Sequence, residues 1–187
     1  MTHHPNPDHN AIDQACRLIG QRAANLYLTR QLWCSGAVLV VLNQALDGEL
    51  TQETAIRLAA GLGDGMGGSG CLCGALNGGA LALGLFLGTG RLSPGGDKKV
   101  LEATRQLHIR FKAAFGSACC RILMKTRESA IHTHDCAQRT AEAAELTAAL
   151  ILAQRPEMSQ RIDWNYLNQN DGKIGARIKI IANQLIK

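Results

Sequence analysis

Aromatic side chains make up 4% of this 187-residue chain, and no stretch of strand length alternates valine, isoleucine, tyrosine or phenylalanine with polar residues. Strands favour β-branched and aromatic residues, so a sheet is excluded as the main architecture. No C-x-x-C-H occurs, which leaves covalent c-type haem attachment unsupported. The paired C-x-x-C spacing usual at zinc sites is also missing. Residues 1 to 10 (MTHHPNPDHN) lack the apolar core of a secretory signal, so the cytoplasm is the expected location. In that compartment an odd count of seven cysteines points to metal binding, redox chemistry or burial, not to a disulfide framework. Positive charge is in modest excess, net +5, without a clustered basic face or a known motif, so nucleic acid is not an expected partner.

Glycine, by contrast, is concentrated. Gly61 to Gly90 holds twelve of the chain's twenty glycines, two of its cysteines and one charge, Asp64. Each glycine costs a helix about 1 kcal/mol relative to alanine, so this density needs a reason, and close backbone approach or positive φ supplies it. The expected arrangement is a loop over Gly61 to Gly70 and a helix from Cys71 to about Leu87. Small residues on that helix (Gly74, Ala75, Gly78, Gly79, Ala82) admit near neighbours, and its lack of charge places it in the middle of the molecule. Gly65 to Gly90 has the length of a bilayer span. Ten glycines in 26 residues, a central Asn77 and flanks without an aromatic belt argue against a membrane span.

The remainder reads as helices around this one, giving an all-α, single-domain bundle over 1–187, with 1–9 a disordered tail and 157–187 a C-terminal helical extension. Asn10 to Tyr27 carries an apolar stripe that includes Cys16, and Trp33 to Leu46 is an uncharged, buried helix ending at Asp47-Gly48. Thr51 caps a third helix. After the break at Ser93-Pro94-Gly95-Gly96, Asp97 caps a long helix with His108 on its apolar side, a core histidine, and Gly116 ends it. Ser117 to Lys125 is a short helix containing Cys119 and Cys120. Thr133 caps a helix with Cys136 in its first turn, and Ile174, Ile178, Ile181 and Leu185 stripe the last helix.

Cys34, Cys73, Cys120 and Cys136 thus share a position, each at or within the first turn of a predicted helix, where free N–H groups and the dipole favour a thiolate. Such placement lowers a thiol pKa. If the four ends converge, they suit an anionic cluster held by four thiolates. Four other residues are weaker metal candidates: His132 and His134 just ahead of Cys136, and Cys71 and Cys119 beside Cys73 and Cys120. On one helix Cys71 and Cys73 would point about 200° apart, against a relaxed disulfide between them. Gly63-Asp64-Gly65-Met66-Gly67-Gly68 fits G-x-G-x-x-G but follows a helix and has no βαβ unit around it, so no dinucleotide site is assigned.

Cys73-Gly74-Ala75-Leu76-Asn77-Gly78 matches a CGAxxG signature, and the chain resembles the family of redox proteins named for its C-GCAxxG-C-C pattern. Phe115 to Arg121 resembles that family's FGSxxCR segment, which assigns Cys120, and Cys34 and Cys136 match the other two cysteines. The resemblance spans about residues 25 to 150 and leaves Cys16, Cys71 and Cys119 outside it. It implies an all-helical redox protein. The family is similar in turn to the cysteine-bearing part of split-Soret cytochromes, dimeric electron-transfer proteins in which a cysteine-lined cavity is thought to hold an iron–sulfur cluster, although this chain has no haem motif.

Three readings follow. The first is an iron–sulfur protein for electron transfer or sensing, ligated by Cys34, Cys73, Cys120 and Cys136, with no catalytic residue. The second is a thiol-disulfide or small-molecule reductase using Cys73 as a low-pKa thiolate. The third is a structural zinc protein. A homodimer and a redox partner protein are the expected partners.

Overall fold

The computed structural model describes residues 9–91, 97–125 and 129–185, with side chains for all but 129–132 and 183–185. In chain order the described residues form α1 (His9–Leu28), α2 (Cys34–Ala45), α3 (Gln52–Ala59), α4 (Gly63–Met66), α5 (Gly74–Leu87), α6 (Lys98–Phe115), α7 (Cys120–Met124), α8 (Ser129–Gln154), α9 (Trp164–Leu167) and α10 (Lys173–Leu185). Turns of 3₁₀ type lie at Ala60–Leu62 and Pro156–Arg161. The fold is all-α, as expected, and no strand occurs among the described residues. Leu72 and Cys119 form an isolated antiparallel bridge. No helix among the described residues is long and apolar enough to cross a membrane.

The two uncharged helices occupy the centre. Every residue of α2 from Ser35 to Asn43 is buried, and the polar ones are satisfied: the Ser35 hydroxyl donates to the Ala59 carbonyl, and Asn43 exchanges two hydrogen bonds with the Leu50 backbone. α5 packs on α2 with one face and on α6 and α8 with another. Its glycines set both approaches. A Cβ at Gly78 would collide with the Ser35 carbonyl oxygen and stand 3.0 Å from Val38 Cβ, while one at Gly79 would stand 2.5 Å from Thr147 Oγ1 of α8. α1 lies along α8 and closes the bundle.

Several local expectations are corrected. α5 begins at Gly74, not Cys71, because the backbone of residues 70–73 is bonded to residues 118–121 and cannot also join a helix. Cys71 and Cys73 therefore do not share a helix. The glycine loop is a loop as expected: it opens with the 3₁₀ turn at Ala60–Leu62, and α4 is a left-handed turn with positive φ at Asp64, Gly65 and Met66. Asp97 makes no capping bond and accepts from the Thr89 backbone and hydroxyl instead. His108 is exposed, since the buried row of α6 is Ala103, Leu107 and Phe111 and a neighbour of Leu107 is rotated off it. Thr51 does cap α3, accepting from the Thr54 N–H. The Ser93–Gly96 break and all of the expected 1–9 tail except His9 lie outside the described residues, and His9 is the first residue of α1.

Beyond α8 the chain returns to α1. Asp171 accepts from Arg22, Gln31 and Lys179 at 3.1, 3.0 and 2.6 Å, and Arg22 lies over the Tyr166 ring. Buried Arg22 was invisible in the pattern of α1. The C-terminal segment is thus tied by charge at its start, while the stripe of α10 stays uncovered: Ile174, Ile178 and Ile181 are 81%, 62% and 50% exposed.

Candidate functional site

The site is assembled by the loop between α3 and α5. Six of its residues from Asp64 to Gly70 have positive φ, two of them, Asp64 and Met66, without being glycine. Gly65 shows what this conformation allows. Its φ is +68°, and a Cβ there would stand 2.5 Å from Cys120 Cβ, so α7 can rest directly on the loop backbone. The Gly65 carbonyl accepts from the Cys71 N–H and the Ser69 hydroxyl, which closes the loop on itself.

Residues 70–73 then run antiparallel to residues 118–121. The Cys73 N–H donates to the Ala118 carbonyl at 2.8 Å, Cys120 N–H to the Cys71 carbonyl at 2.6 Å, and Arg121 N–H to the Gly70 carbonyl at 3.0 Å. This short ladder sets Cys73, the residue before α5, beside Cys120, the first residue of α7. α2 brings the third cysteine. Cys34 is its first residue, and a Cβ at Gly74 would stand 2.5 Å from the Cys34 sulfur.

Cys136 reaches the site differently from the expectation. α8 starts at Ser129, with nothing between there and Thr133 to break a helix, so Cys136 lies in the third turn and not the first. Helix-end stabilisation cannot apply there. Its neighbour is a cation instead: Arg139, 7% exposed, has one guanidinium nitrogen 3.8 Å from the Cys136 sulfur and donates with another to the Leu123 carbonyl and Asp135. Arg139 Nε is buried without a partner.

Cys34, Cys73, Cys120 and Cys136 all line one cavity of about 50 Å³, together with Arg139 and Asp64. Tyr27, Trp33, Gly74, Leu123 and Met124 also line it. Sequence reasoning missed Arg139, although its place one turn after Cys136 was a usable signal, and it missed Asp64 and Tyr27, which no local pattern marks. The weaker candidates are not in this wall. Cys71 and Cys119 lie on the ladder outside it, with the Cys119 thiol donating to the Gly70 carbonyl, and His134 is exposed. The His132 side chain lies outside the described residues. Cys16 is buried between α1 and α8, far from the cavity wall.

Electrostatics at the site oppose the expectation of low thiol pKa values. Burial pushes Cys73 up to about 12, with the charge of Cys34 adding to it, and the N–H groups of Ala75 and Leu76 only partly offset this. Burial likewise pushes Cys34 up against the N–H groups of Asp64 and Ser35, and Cys120 to about 11, where Asp64 also raises it and Arg139 lowers it. Tyr27 is raised by burial and by its hydrogen bond and charge interaction with Cys136. Desolvation exceeds the helix-end effect because a thiolate here has almost no water. Cys73 is therefore not a low-pKa nucleophile in this state.

Three thiols that resist ionisation singly (Cys34, Cys73 and Cys120), a fourth beside a buried guanidinium with an orphaned Nε, and backbone N–H groups directed at two of the sulfurs form a site suited to an anionic sulfur-ligated group. Among the described residues no three of His, Cys, Asp and Glu are grouped closely enough to hold one metal ion.

The model of one protein family, described as putative redox-active protein (C_GCAxxG_C_C), matches residues 32–150. No curated protein and no solved structure matches the chain.

Proposed function

The chain belongs to the C_GCAxxG_C_C family of redox-active proteins, and on that premise we propose that Cys34, Cys73, Cys120 and Cys136 hold an iron–sulfur cluster used for electron transfer or sensing. The observation that carries this reading is the meeting of all four cysteines at one small cavity with the buried Arg139 guanidinium, whose Nε has no partner. A bound cluster would supply one-electron redox chemistry and replace the thiol protons. The chain's own residues do the rest. The loop N–H of Asp64 and the helix N–H groups of Ser35, Ala75 and Leu76 donate toward Cys34 and Cys73, and Arg139 balances negative charge near Cys136 and Cys120. Trp33 and Tyr27 cover the cavity and limit water. Two copies of the chain joined through the uncovered stripe of α10, and a separate redox partner protein, complete the proposal.

The test is anaerobic reconstitution with iron and sulfide, followed by visible absorption and iron and sulfide analysis. Serine at any one of the four cysteines lowers bound iron sharply, while Cys16→Ser and Cys71→Ser retain it. Equal iron across all six variants removes the assignment.

One observation favours a second reading, thiol–disulfide exchange. Cys71 and Cys120 stand directly opposite each other on the ladder, where cross-strand Cβ atoms lie roughly 4.5–5.5 Å apart. The exchanging pair would then be Cys71 and Cys120 instead of Cys73. A protein that gains no iron and loses two titratable thiols on mild oxidation selects it.

A further inference from the structure

A cleft of about 540 Å³ opens beside the cysteine cavity, between the α1–α2 connection and α3. Tyr27 and Trp33 belong to the walls of both, so one layer of aromatic side chains separates the two spaces. The floor is apolar, made by Leu32, Ile56 and Ala59. Two long polar side chains enter from the connection. Gln31 is already engaged, donating to Thr29 and to Asp171. Arg30 is not: its guanidinium has no hydrogen-bond or ion-pair partner among the described residues, and its backbone is held at φ 58° in a turn closed by its N–H on the Tyr27 carbonyl. Trp33 is 62% exposed although its Cβ and ring rest on Gly63, where a Cβ would stand 3.1 Å from that of Trp33. The indole is therefore fixed at its base and open to the cleft.

The cleft's volume falls within the roughly 300–1,000 Å³ of small-molecule sites. An apolar floor, a flat indole wall and one unpartnered guanidinium select a flat hydrophobic ligand with one negative charge. We infer that this cleft binds a planar aromatic molecule bearing a single anionic group, the chemistry of a sulfonated or carboxylated quinone, stacked on Trp33 with its anion on Arg30. The choice of a redox-active aromatic rests on the redox reading above. The shape and charge of the cleft do not.

The experiment uses the full chain with Trp164→Phe, which leaves Trp33 as the sole tryptophan, and titrates its fluorescence with anthraquinone-2-sulfonate and with the neutral 2-hydroxymethyl analogue. Saturable quenching is expected for both, tighter for the sulfonate. Arg30→Gln weakens the sulfonate about tenfold and leaves the neutral compound unchanged, the difference one charged hydrogen bond makes. Trp33→Ala, followed by equilibrium dialysis, weakens both. Leu58→Ala, an exposed position on the side of α3 away from Ile56, changes neither. No saturable binding up to about 1 mM, or equal affinities in wild type, Arg30→Gln and Trp33→Ala, overturns the inference. Iron and sulfide are measured on the same samples. Retained iron without quinone binding removes the cleft alone, and quinone binding without iron removes the cluster alone.

Discussion

The sulfur of Cys34 fills the space that a side chain on residue 74 would need, since a Cβ built on Gly74 stands 2.5 Å from Cys34 Sγ and 2.9 Å from the Leu62 carbonyl oxygen. Absence of a single methyl group at that position lets α2 and the glycine loop meet at the start of α5.

Gly74→Ala must therefore displace Cys34 or the loop. Overpacking of this kind costs about 1 to 3 kcal/mol, against about 1 kcal/mol returned by helix propensity. Chemical denaturation is expected to show a small net loss, while iron uptake falls steeply because ligand distances tolerate only a few tenths of an ångström. Gly84→Ala is the control on the same helix. Nothing lies within 4 Å of a Cβ there, so stability rises by up to about 1 kcal/mol and iron is kept. Full iron and unchanged spectra in Gly74→Ala would reduce this glycine to ordinary packing.

Composition and period carried most of the helices because charge is so unevenly spread: α2 and α5 have no charged residue and must be central. The helix-start position was legible for Cys34, Cys73 and Cys120, which begin or precede helices bounded by turn residues. It was misread for Cys136, because a capping threonine inside a longer helix has the same local signature as one at its start. Start of α5 was misplaced because backbone pairing between residues 70–73 and 118–121 joins segments about fifty positions apart. The thiol pKa direction failed for the same reason. Helix ends are local and visible in sequence, whereas desolvation depends on everything packed around them.

Alkylation should read that desolvation directly. Only the thiolate reacts, and burial pushes both Cys16 and Cys73 to about 12, Cys16 with added repulsion from Glu145 and Asp13. Iodoacetamide applied to the metal-free protein near neutral pH, followed by peptide mapping, is expected to label exposed Cys71 first and Cys16 and Cys73 last. In denaturant the seven rates converge. Early labelling of Cys73 in the folded protein would restore the low-pKa nucleophile.

Self-association is expected to run through α10. Burying an isoleucine is worth about 1.5 to 3 kcal/mol, and a symmetric interface counts each residue twice. Ile178→Ser should raise the dimer dissociation constant by about a hundredfold or more. Light scattering across a dilution series checks this, and a wild-type monomer at micromolar concentration ends the proposal.

The last prediction concerns Asp171, which ties the C-terminal segment to α1. Burial pushes its carboxyl up, but hydrogen bonds from Lys179, Gln31 and Arg22 together outweigh that and hold it down at about 2. A carboxyl depressed in the folded state favours folding above its unfolded value, about 3.9, and the benefit disappears as pH falls through the folded value. Asp171→Asn removes the benefit at every pH. At neutral pH the variant also leaves Arg22, whose side chain is 3% exposed and whose Nε already lacks a partner, without its counter-charge. Loss of one member of such a pair costs about 3 kcal/mol. Urea midpoints are thus expected to lie far apart for wild type and Asp171→Asn at about pH 7 and to converge toward pH 2, with equal denaturant slopes throughout. A gap of the same size at both ends of that range would mean that Asp171 acts through packing alone and that its charge does not hold the C-terminal segment.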